Sequence, residues 1–217
     1  MPDASNPAQE LIDNEFPEIY RPLIPGALKR AYASADQAYD RLDFLNTPSG
    51  NFHRGDLIVI AAEFEFMRLM REGHLPFEPS WDDYASPTGK HLVMRSPGAH
   101  ITINQVDSPH KKPRWAQFRE DFGTPNAAYL FEEWNEERRA DLSKKHILLL
   151  HGYGNLRFSN LAIPHPTMNR LIWWTSDLVK LVPDESVWTS PVSGEGPTES
   201  PEPELVEEII KTIRDAE

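Results

Sequence analysis

His91-Leu-Val-Met-Arg95, Ser96-Pro97-Gly98 and Ala99-His-Ile-Thr-Ile-Asn-Gln-Val106 are the stretch on which the reading of this chain turns. Two short runs rich in β-formers flank a Pro-Gly pair, the pattern of two strands joined by a turn. Alternation in the second run puts Ile101 and Ile103 on one face and His100, Thr102 and Asn104 on the other. One face is expected against a core, the other to display polar groups.

A second hairpin follows the same logic. Lys145-His-Ile-Leu-Leu-Leu-His151 reads as a buried strand, Gly152-Tyr-Gly-Asn155 as its turn, and Leu156 to Ile163 as the returning strand. His146 and His151 are five apart, which puts them on opposite faces. Leu171-Ile-Trp-Trp174 adds a short edge strand. Upstream, the three- and four-residue spacing of Leu28, Ala31, Tyr32, Ala35, Tyr39 and Leu42 predicts a helix over 27–45. Residues 56–72, DLIVIAAEFEFMRLMRE, predict a second, buried helix with Phe64 in the core. Leu75 to Tyr84 reads as an extended aromatic loop, 107–123 as a basic connector, and 125–142 as a surface helix with Pro125 at its first position.

The expected fold class is therefore α+β: an N-terminal helical pair packed on an antiparallel sheet of two hairpins, with an intervening surface helix. Residues 1–26, broken by prolines, are expected as an extended N-terminal arm. Residues 27–182 form the single α+β domain. Residues 183–217 are an acidic, Pro-rich linker ending in an amphipathic helix.

Charge is sorted along this framework. The formal net charge is −12. Five acids and no base lie in residues 1–20, and ten acids with Lys211 and Arg214 lie in 184–217, so the body between them is close to neutral. Within it one stretch is basic, His110-Lys111-Lys112-Pro113-Arg114-Trp115 with Arg119 beyond. Such a stretch, on a body with acidic ends, points to an anionic partner.

The chain has no Cys, which removes disulfides, thiol catalysis and Cys-ligated zinc. Its first residues lack the apolar core of a signal peptide, and no run is long enough for a membrane span. The expectation is a cytoplasmic protein without membrane contact.

Ile147-Leu-Leu-Leu-His-Gly-Tyr-Gly154 resembles the strand and His-Gly loop of α/β-hydrolases. That family requires a G-x-S-x-G elbow further along, and none follows here, so the hairpin reading stands. The eight His residues show no metal-ligand spacing, and neither a metal nor a cofactor is expected. Glu63 and Glu65 point about 200° apart on their helix; Glu65 is expected to pair with Arg68.

The ligand-binding candidates are Arg95, His100, Asn104, Lys111, Lys112, Arg114, Trp115 and Arg119, since Arg and Lys beside an aromatic hold phosphates and unstacked bases. The preferred function is a binding or regulatory protein that engages nucleic acid or another phosphate-bearing ligand through this basic loop, with an acidic regulatory tail. An alternative is a metal-independent, ribonuclease-type enzyme, with His100 or His151 moving protons and Arg114, Arg119, Arg95 or Arg157 as cations. A further alternative is a protein–protein adaptor contacting its partner through the C-terminal helix and Trp173-Trp174.

Overall fold

The computed structural model describes residues 6–84, 89–129 and 144–181, all within the first of the two units into which the chain divides, Met1–Asp184. Six strands form one sheet in chain order: β1 (Glu78–Asp83), β2 (Lys90–Arg95), β3 (Ala99–Val106), β4 (Lys145–Gly152), β5 (Ser159–Pro164) and β6 (Leu171–Trp174). Neighbours are antiparallel except β3 and β4, which run parallel in register from Ala99↔Lys145 to Val106↔Gly152. Both expected hairpins are present, and the fold is α+β. The wholly antiparallel sheet is corrected to a mixed one. The segment between the hairpins is long enough to cross the sheet, so β4 starts at the same end as β3.

β1 replaces the expected aromatic loop. Trp81 faces Leu92 and Ser80 faces Val93 across the pair, although Trp81 itself stays exposed. The basic connector also has structure. It contains α5 (Gln117–Gly123), anchored by buried Phe118. The expected helix at 125–142 is a 3-10 helix over Thr124–Tyr129; residues 130–143 lie outside those described. Buried Asn126 fixes this turn, donating to the carbonyls of His146 and Pro164 and accepting from the His146 amide.

The extended arm is corrected as well. Pro7–Glu15 forms α1, capped by Asn6, with Leu11 and Ile12 buried. The prolines act further on, limiting the chain to a 3-10 turn at Glu18–Tyr20 before α2 (Leu23–Arg41). Glu15 reaches the β2–β3 turn, where its carboxylate accepts from Ser96 Oγ at 2.6 Å and from the Gly98 amide at 2.8 Å. A Cβ on Gly98 would meet that carboxylate and push it aside, so glycine favours the close approach.

After the short α3 (Pro48–Phe52), the long α4 (Arg54–Arg71) packs against α2 and over β1, β2 and β3. Its core stripe is Ile58, Ala62, Phe66 and Leu69, each fully enclosed. Phe64, expected in the core, is 54% exposed; two positions from Phe66, it falls on the opposite side of the helix. α5 covers the other face of the sheet. The polar face of β3 is therefore not displayed: Thr102 and Asn104 are buried. The predicted C-terminal linker and helix lie outside the described residues. Among the described residues no helix is long and apolar enough to cross a membrane.

Candidate functional site

The sheet has a fork. β2 and β3 pair only at Val93↔Thr102, Met94↔Ile101 and Arg95↔His100. Ile103 to Val106 continue beside β4 with no strand partner on the β2 side among the described residues. The Leu92 amide, deprived of a β3 carbonyl there, donates to Glu63 Oε1 at 3.0 Å. A buried backbone donor needs such a partner.

A cleft of about 350 Å³ opens at this fork. Asp56, Val59, Ile60 and Glu63 line it from one face of α4, Arg119 and Arg114 from the α5 side, and Ile103, Asn104 and Gln105 from β3 between them. The side chains of Tyr84, Lys90 and Tyr153 complete the wall. Gly55 lets the start of α4 approach, since a Cβ there would lie 3.0 Å from Gln105 Oε1. A second cleft of about 320 Å³ adjoins the first, sharing Gln105, Pro113, Arg114 and Tyr153, and adds Lys111, Lys112 and Trp115.

Arg119 is held by neutral acceptors. Its Nε donates to Asn104 Oδ1 at 2.6 Å and one terminal nitrogen to the Arg114 carbonyl at 2.8 Å. Its guanidinium also lies 4.7 Å from the Phe118 ring centre. Asn104 is oriented in turn by donating to the Thr102 carbonyl and hydroxyl, and that hydroxyl meets His146 Nε2 at 2.9 Å. No carboxylate among the described residues lies at ion-pair distance from Arg119. Burial lowers its pKa, yet a guanidinium remains charged at any physiological pH. Lys112 and Arg114 likewise have no ion pair among the described residues, whereas Lys111 pairs with Asp107 and Lys90 with Asp83.

Glu63 and Glu65 part company. Glu65 bridges Arg30 at 2.6 Å and Arg68 at 3.2 Å, so the expected Arg68 pairing is present with a second cation added. Glu63 faces the cleft with no such partner among the described residues, and burial raises its pKa, offset in part by the Leu92 amide. Sequence reasoning set the Glu63 side aside; its signal was a carboxylate in an apolar helix with no basic residue three or four positions away. Tyr84 was also missed, and its phenol pKa is raised by burial and by the Glu63 charge.

The structure gathers Asn104, Lys111, Lys112, Arg114, Trp115 and Arg119 around the two clefts. It places Arg95 and His100 elsewhere, beneath the start of β3. One terminal nitrogen of Arg95 donates to both carboxylate oxygens of Asp82, at 2.7 and 2.9 Å, and the other meets His100 Nδ1. His100 stacks on Phe122 of α5 at 4.7 Å; burial and the Arg95 and Lys144 charges hold its pKa down at about 4. His151 is enclosed on the other face, with Nδ1 2.8 Å from the Tyr32 hydroxyl and burial holding its pKa at about 3. It lines neither cleft. Arg157 is exposed in the β4–β5 turn. No group of three or more His, Cys, Asp or Glu among the described residues is arranged to hold a metal ion.

No known family model, curated protein or solved structure matches the chain.

Proposed function

We propose that the paired clefts bind single-stranded nucleic acid. The observation that carries this reading is Arg119: a partly buried guanidinium, aimed by Asn104, whose charge no carboxylate among the described residues answers. Placing a charge where its hydration is reduced has a cost that a bound anion offsets. Lys112 and Arg114 extend the positive lining into the second cleft. Trp115, 62% exposed, and Tyr153, 43% exposed, stand beside them as surfaces on which unstacked bases can lie. The clefts share a wall, which suits a ligand carrying successive phosphates and bases rather than one small anion. A rigid duplex fits such narrow recesses less well than a single strand.

Fluorescence anisotropy of a labelled mixed-sequence oligonucleotide tests this. Replacing Lys112 and Arg114 together with Gln should weaken binding. It should also flatten the slope of log affinity against log salt by about 0.7 for each phosphate of a single strand that is no longer neutralised. Affinity and slope equal to the parent's would place binding elsewhere.

A further inference from the structure

We propose that Glu63 is the general base of an RNA-cleaving reaction in this cleft, with the 2′-hydroxyl of a bound ribonucleotide as nucleophile. This rests on the single-strand binding reading and adds a reaction to it. The geometry behind it is the fork. α4 sends Glu63 between the parted strands, where the Leu92 amide fixes one carboxylate oxygen at 3.0 Å. The other oxygen makes no hydrogen bond among the described residues, and Glu63 lines the same cleft as Arg119 on the opposite face of the sheet. Glu65, two residues on, is locked between two arginines, so the helix has cations for one buried carboxylate and leaves the other to the cleft.

Burial raises the Glu63 pKa, bringing a carboxylate nearer to the strength that suits a base at neutral pH. Arg119 supplies the charge that a crowded phosphorane needs. Among the described residues no Ser, Thr, Cys or His lines either cleft; the nucleophile in this proposal is the substrate's own 2′-hydroxyl. RNA carries one and DNA does not.

In the step, Glu63 takes the 2′-hydroxyl proton and O2′ forms a bond to phosphorus. The bond from phosphorus to O5′ breaks, and O5′ takes the proton of the Tyr84 phenol, which lines the same cleft. The products are a 2′,3′-cyclic phosphate and a 5′-hydroxyl. The proton on Glu63 returns to the Tyr84 phenolate through water in the open cleft. No oxidant or reductant is involved.

The test uses the full chain with a mixed-sequence single-stranded RNA, the same RNA carrying one 2′-deoxy residue, and the matching DNA. Mass spectrometry should find cyclic phosphate ends from the RNA, protection of the linkage after the 2′-deoxy residue, and intact DNA. At saturating RNA, Glu63→Gln should cleave ~10²–10⁴-fold more slowly than the parent, the usual contribution of a general base, while still binding RNA. Should that variant fail to fold, the 2′-deoxy protection and a wild-type rate that rises with pH through a value above the ordinary carboxylate range decide the matter. RNA bound but left intact, DNA cut as readily as RNA, or equal cleavage by a folded Glu63→Gln overturns the catalytic proposal and leaves the binding reading standing. Failure to bind either nucleic acid overturns the binding reading, and the proposal with it.

Discussion

Phe64 and Phe66 show what one position on a helix is worth. Both are aromatic residues of one apolar run, and the composition of that run does not separate them. Phe66 is fully enclosed while Phe64 is 54% exposed, because α4 meets α2 on one side and the sheet on another, leaving a third to solvent. Phe66→Ala is expected to cost about 3–5 kcal/mol, and Phe64→Ala within roughly 1 kcal/mol, since little enclosed surface is removed. Urea midpoints of the two variants check this, and equal losses would contradict the burial pattern. Arg119 was legible as a candidate from its neighbours. Its partner was not: nothing local to residues 95–119 says that Asn104 aims it, a hydrogen bond made only when α5 folds over β3. Asn104→Ala should therefore weaken oligonucleotide binding in anisotropy by about fivefold, the equivalent of roughly 1 kcal/mol of hydrogen bonding, through its hold on Arg119.

At the scale of elements, the strands with strong period-two or wholly apolar runs were legible, β3 and β4 above all. β1 was not, because Pro79 and the aromatic and acidic residues around it resemble a loop until β2 is alongside. α5 was hidden by its basic flanks and short length. The direction of β4 was set by the crossover and not by any residue within the strand. α5 is held by rings: His91 lies 4.0 Å from Phe118, and Phe122 lies 4.7 Å from His100 and 5.5 Å from His146. Burial holds His91 and His100 at about 4 and His146 at about 3; Arg119 opposes protonation of His91 and His146, and Asp82 favours protonation of His91 and His100. Against an unfolded value of about 6.5, the unfolded chain binds more protons between these values, so stability falls with falling pH. Urea midpoints should be flat above about pH 7 and decline steadily from about pH 6.5 toward pH 4. His146→Asn should shallow that decline. A midpoint independent of pH over this window would mean that the rings are not buried in the neutral state.

For the whole molecule, the net charge of −12 gives no hint of the cleft, because acids sorted to the chain ends outweigh one local basic stretch on a near-neutral body. Deleting residues 184–217 removes ten acids and two bases. It should raise affinity for an oligonucleotide, most at low salt where screening is weakest; unchanged anisotropy titrations would show that the tail exerts no field on the clefts. The proposed anion site is the fork between β2 and β3. Nuclear magnetic resonance of the full chain during titration with a short single-stranded RNA addresses it most directly. The Nε–H of Arg119, the side-chain amide of Asn104 and the indole N–H of Trp115 should shift together, at one affinity, while the Nε–H of Arg21, bonded to the Phe16 carbonyl, stays still. Shifts confined to other surfaces, or none at RNA concentrations that saturate other single-strand binders, would contradict the account.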